Sequence, residues 1–177
     1  YCLVTFKDKT EQKCQSFVLD NPSTSVNESL EALAKDLGKL KPSGGGDKEE
    51  NPLRALMDAS LPPWSHGVQR VAFLLTDQGF HYKPRKEGDA GAQAPTYEEA
   101  LRSVMTHQMM VYAIAPEKSG YNQDFESFPS LTSALMGKFY SVKDFGSNKV
   151  NMASVGQDLA KKMTSYYELS FFAEDNP

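Results

Sequence analysis

Residues 41–56, KPSGGGDKEENPLRAL, place three glycines and then Asp47, Glu49 and Glu50 directly ahead of a helix-like run that opens with Asn51-Pro52. Carboxylates on such a turn make either a solvated loop or part of a site for a hard cation, which takes oxygen ligands. A further carboxylate, Asp77, follows the apolar run VAFLLT. Glu50 and Asp77 suit Mg2+, Mn2+ or Ca2+ as all-oxygen donors. The ordinary alternatives are a strand-end turn for Asp77 and a carboxylate complementing the helix dipole for Glu50. Asp47 is the weaker candidate, and Glu49 reads as solvated. His66, His81 and His107 lack zinc-ligand spacing and read as surface or boundary residues. No Gly-Lys-Ser/Thr follows the triple glycine, so it is not a nucleotide loop. No Ser/His/Asp or Cys/His arrangement announces a nucleophile, and nothing in the pattern asks for an enzyme.

The elements that must position these carboxylates are readable from periodicity. Leu3-Val4-Thr5-Phe6 and Ser16-Phe17-Val18-Leu19 are strand-like, with a polar turn at Asp8-Lys9-Thr10-Glu11. If the register is symmetric about position 8, Cys2 and Cys14 lie opposite one another and can bond, which implies an oxidising compartment. A one-residue slip separates them and leaves two buried thiols. Ser25-Val26-Asn27-Glu28 has capping-box form, with Leu30, Leu33, Ala34 and Leu37 on one helical face and Gly38 as terminator. Asn51 is the next expected N-cap, with Pro52 at the first helical position and Leu53, Leu56 and Met57 buried.

VAFLLT (71–76) and MMVYAIA (109–115) are continuous apolar runs of the kind covered on both faces. Between them lie a polar surface excursion, 78–95, and a second capping box, Thr96-Tyr97-Glu98-Glu99, whose helix continues through Leu101, Val104 and Met105. Met105, Met109 and Met110 are all expected in the core. A short helix at 127–136, a strand at 139–142, a helix carrying Met152, Val155, Leu159 and Met163, and a closing strand YYELSFF (166–172) complete the order. Alternating strands and capped helices predict an α/β fold, a doubly wound and mostly parallel sheet with helices on both faces. Ligands bind such sheets at the carboxyl ends of the strands, where Asp77 and the loop before Asn51 both fall.

The 177 residues, 40% hydrophobic, fit a single domain over 1–177 with a sizeable core. A net charge of −4 without a lysine stripe argues against nucleic acid as the main partner. No apolar run approaches the ~20 residues that span a bilayer. The chain opens at Tyr1 without an initiator methionine, as an excised or processed piece does.

LLTDQG after a Trp-x-x-Gly-x-x-Arg approach, preceded by GGGDKEENPLRAL, resembles a von Willebrand factor type A domain. LVTFKDK resembles that family's second strand and YYELSF its closing strand. GGGDKEE and TDQGFHY lean toward the I-like domain of integrin β subunits and its bacterial relatives. The resemblance implies a Rossmann-like sheet with a metal-ion-dependent adhesion site at its top edge. Glu50 then stands at the second-loop ligand position, Asp77 is the third-loop aspartate, and Asp47 matches the residue that helps hold a flanking second ion. The first-loop Asp-x-Ser-x-Ser motif is absent from these residues, together with the family's first strand and first helix. DNPSTS (20–25) has the right letters at the wrong spacing. A sheet without that central strand exposes two apolar edges. The implied function is metal-dependent protein binding or adhesion in an extracellular, cell-surface or periplasmic setting, with a partner's carboxylate completing the ion's coordination. The alternative on the same fold is a metal-assisted hydrolase, with His81 as the nearby base, or a regulatory subunit of an ATP-driven complex.

Overall fold

The computed structural model describes the chain apart from residues 1, 8–9, 15–21, 42–48, 62–63, 65–66, 84–93, 119 and 165–177, with the backbone alone described at 10–14, 22–27 and 29–30. It divides into two compact units, Tyr1–Val142 and Lys143–Pro177. The first unit opens with an antiparallel hairpin of β1 (Cys2–Phe6) and β2 (Thr10–Cys14). Its register is symmetric about position 8 and pairs Cys2 with Cys14. The expected partner strand at 16–19 lies outside the described residues. The strand that does pair, TEQKC, carries no apolar run, so a search by hydrophobicity passes over it.

Helix α1 (Pro22–Gly38) begins three residues before the expected cap, which leaves Ser25 inside the helix instead of at its N-cap. Proline favours the first helical position because its missing N–H has no partner there to lose. Leu37 is 47% exposed, whereas Asp36 is buried and bound to Lys39 Nζ at 3.0 Å. The expected apolar face is therefore not a buried one at its C-terminal end.

Helix α2 (Pro52–Ser60) starts at Asn51 with Pro52 at its first position and buries Leu53 and Leu56. The Asn51 side chain makes no capping hydrogen bond; its carbonyl takes the Ala55 N–H at 3.1 Å. Strands β3 (Arg70–Leu75), β4 (Met109–Ala115) and β5 (Lys138–Ser141) form a parallel sheet in the order β3-β4-β5. Helix α3 (Tyr97–Thr106) connects β3 to β4, and α4 (Leu131–Ala134) precedes β5. The Thr96 capping box forms as expected, with Glu99 N–H donating to Thr96 Oγ1 at 3.0 Å and Thr96 N–H to Glu99 Oε2 at 2.8 Å. The described chain is thus mixed α/β with a three-stranded parallel sheet.

All seven residues of β4 are buried, as expected of a central strand. Its Met109, Val111 and Ala113 face a core shared with Leu53, Leu56, Leu101 and Val104 of α2 and α3. Each such leucine or methionine contributes about 1.5–3 kcal/mol by burial. Strand β3 departs from expectation: Leu74 joins that core, but Phe73 and Leu75 are 42% and 56% exposed. A continuous apolar run does not show which face is covered, and β3 is an outer strand of the three described in its sheet. Met105 also departs, lying 55% exposed, because Leu101 and Val104 already define the inward face of α3. Met109 and Met110 are buried as expected.

Gly137 permits the entry into β5, since a Cβ there would stand 1.6 Å from the Val111 carbonyl oxygen. The expected excursion at 78–95 is buried at both ends, where Phe80, His81 and Ala94 pack inward. Helix α5 (Val142–Gly146) and, in the second unit, α6 (Met152–Thr164) follow. Val155 of α6 is buried, while Met152 and Met163 are 53% and 46% exposed. The expected closing strand at 166–172 lies outside the described residues. No helix among the described residues is long and apolar enough to cross a membrane.

Candidate functional site

The parallel register of β3 and β4 brings their carboxyl ends together, and the Thr76 N–H extends the ladder to the Ile114 carbonyl at 3.0 Å. Asp77 follows on this turn with its side chain exposed. Two residues later the chain meets the loop ahead of α2. Glu50 N–H donates to the Gly79 carbonyl at 3.3 Å, and His81 N–H donates to the Glu50 carbonyl at 2.8 Å, a parallel bridge between Glu50 and Phe80. Asn51 N–H then donates to the carbonyl of Lys7, just past β1, at 2.8 Å. The ends of β1 and β3 and the start of α2 are therefore tied along one edge. Two of the three proposed ligand positions, Glu50 and Asp77, lie on strands of backbone that meet there.

Asp47 lies outside the described residues. Among the described residues, no three His, Cys, Asp or Glu side chains converge as a metal-holding group. Glu50 and Asp77 thus supply at most part of a coordination shell, and a hard cation needs six or more oxygens in all. His81 is 4% exposed instead of lying at a surface or boundary, and its backbone is committed to Glu50.

Three residues at this edge went unnoticed in the sequence as site residues. Tyr121, completely buried on the loop after β4, donates its hydroxyl to the Gln78 carbonyl at 3.1 Å. Burial pushes its phenol well above the ordinary value; a Thr76 hydrogen bond pulls the other way, and the charge of Glu50 adds to the rise. Thr76 Oγ1 accepts from the Gln78 N–H at 3.2 Å. Lys118 closes over Gly79: a Cβ on that glycine would stand 3.2 Å from Lys118 Nζ and 3.4 Å from Glu49 Cγ. An ammonium group is thereby held beside the acidic loop. Only Thr76 had a signal in the sequence, as part of LLTDQG; nothing in KSGYNQ marks Lys118 or Tyr121.

Behind this edge stands an aromatic cluster. The Phe80 ring packs against Tyr82, Tyr97, Tyr121 and Phe125 with centroids 5.3–5.8 Å apart. The Tyr97 hydroxyl shares its one proton between the carbonyls of Gly120, at 2.8 Å, and Pro129, at 3.0 Å, and its phenol too is pushed well up by burial. Gly120 has φ of +92°, a conformation natural to glycine.

No protein-family model matches the chain, and no curated protein does.

Proposed function

We propose that this chain is a cation-dependent protein-binding module of the von Willebrand factor A type. Glu50 and Asp77 hold Mg2+, or Mn2+ or Ca2+ in its place, with Asp47 beside a flanking ion. One coordination position stays open for a carboxylate of a protein partner, outside the cell, at its surface or in the periplasm. The observation that carries this reading is the Glu50–Phe80 bridge, which sets the loop before α2 against the loop after β3. The sheet is then doubly wound, with a central strand lying between the hairpin and β3 and bringing the Asp-x-Ser-x-Ser oxygens. The separate hairpin and three-stranded sheets support such a strand.

Mn2+ binding to the protein with the segment bearing the Asp-x-Ser-x-Ser loop present, followed by electron paramagnetic resonance, tests the reading. Asp77→Ala and Glu50→Ala should each weaken Mn2+ by at least about a hundred-fold, the upper range for loss of a group that merely supports a ligand. Circular dichroism of Asp77→Ala should be unchanged, since Asp77 is exposed. Peptides bearing one central Asp or Glu should bind in Mg2+ and dissociate in EDTA. Binding that persists in chelator, or in the double variant, reduces GGGDKEEN to a solvated turn.

A further inference from the structure

We propose that Tyr121 and Thr76 are positioning residues of the cation site, acting through hydrogen bonds to the backbone of Gln78, the residue after Asp77. The inference rests on the cation reading of the Glu50–Asp77 edge. A tyrosine hydroxyl has one proton, and here it goes to the Gln78 carbonyl. Thr76 Oγ1 accepts from the Gln78 N–H at 3.2 Å. Both backbone groups of Gln78 are thus held by side chains, its N–H by the residue ahead of Asp77 and its carbonyl by the loop after β4.

Both of these residues are anchored in turn. Thr76 N–H bonds the Ile114 carbonyl of β4, and the Tyr121 carbonyl accepts from Thr132 Oγ1 at 2.9 Å in α4. Burial keeps the phenol protonated and so keeps it a donor. Without that hydroxyl, the Gln78 carbonyl loses this partner against a buried ring. The turn then has no single preferred geometry, and Asp77 no longer meets an ion at a fixed place. Groups that orient a metal ligand are worth about ten- to a hundred-fold in affinity.

The test compares Tyr121→Phe, Thr76→Val and Thr76→Ser in the protein with the Asp-x-Ser-x-Ser segment present. Mn2+ affinity, amide hydrogen exchange at Gln78 and thermal melting are the readouts. Tyr121→Phe and Thr76→Val should weaken Mn2+ about ten- to a hundred-fold and speed exchange at Gln78, while exchange at Val111 in β4 stays as it was. Thr76→Ser, which keeps the hydroxyl, should restore both. A purely structural role predicts faster exchange at Gln78 and Val111 alike, with Mn2+ affinity unmoved in the folded fraction. Unchanged Mn2+ affinity in Tyr121→Phe overturns the positioning role alone. Failure of the unsubstituted protein, with the Asp-x-Ser-x-Ser segment present, to bind Mn2+ overturns the site and the inference with it.

Discussion

Replacing Gly120 by alanine strikes the point where the aromatic cluster meets the candidate site. Two costs can be worked from the geometry. At φ of +92° a residue with a Cβ is strained by about 1–3 kcal/mol. That Cβ would also stand 2.5 Å from Cε1 and Cζ of Phe80 and 3.2 Å from the Tyr97 ring, against a comfortable ~3.5–4.0 Å. The Phe80 ring cannot simply retreat, because Tyr82, Tyr121 and Phe125 meet it edge-on. Nor can the backbone, since the Gly120 carbonyl accepts from Leu131 N–H at 2.7 Å and Tyr97 Oη at 2.8 Å. Overpacking of this kind costs about 1–3 kcal/mol. The sum, roughly 2–6 kcal/mol, is a large part of the ~5–15 kcal/mol that holds a domain folded. At about 2–4 °C per kcal/mol, differential scanning calorimetry should show Tm falling by roughly 5–20 °C. Phe80→Leu removes the obstructing ring edge, so the double variant should be more stable than the two single losses predict, by about 1 kcal/mol or more. A Gly120→Ala melt within ~2 °C of the unsubstituted chain, or strict additivity with Phe80→Leu, refutes the packing argument.

Tyr97 and Tyr121 make stability fall in alkali. Below pH 10 both states hold these protons; above it the unfolded chain releases them while the folded chain, with its raised phenols, keeps them. Stability should therefore decline by about 1.4 kcal/mol per pH unit for each tyrosine as pH rises past 10, seen as a lower urea midpoint at pH 11 than at 9.5. Tyr97→Phe should lessen that slope, and a flat pH response would count against burial of the phenols. The Cys2–Cys14 register further leads us to propose a disulfide between them. Closing a loop of this size is worth about 3 kcal/mol; intact mass after alkylation without reductant should show no labelled thiols, and two labels would exclude the bond.

Much of the fold was legible because local chemistry and tertiary packing agree there. MMVYAIA reads as a buried strand and is one, and Thr96 and Glu99 cap α3 as their spacing requires. Asn51-Pro52 starts α2 where proline's missing N–H does no harm. Expectation failed where the deciding interaction is distant. TEQKC becomes a strand because β1 pairs with it, not because its own residues are apolar. Phe73 and Leu75 lie open on an outer strand of the three described in this sheet, a property of strand order that the run VAFLL does not contain.

The same division runs through the site. The sequence alone determined that Asp77 ends a strand and that Glu50 stands one residue ahead of a helix N-cap, since apolar runs, caps and proline act within a few residues. Only the tertiary structure decided that Glu50 pairs with Phe80, that Lys118 covers Gly79, and that a tyrosine 44 positions beyond Asp77 bonds the carbonyl beside it. Those contacts depend on the parallel register of β3 and β4 and on the return of the chain after α3, which bring distant loops to one edge. Hydrogen bonds between loops are set by where the strands deliver them, and no local pattern of residues encodes that meeting.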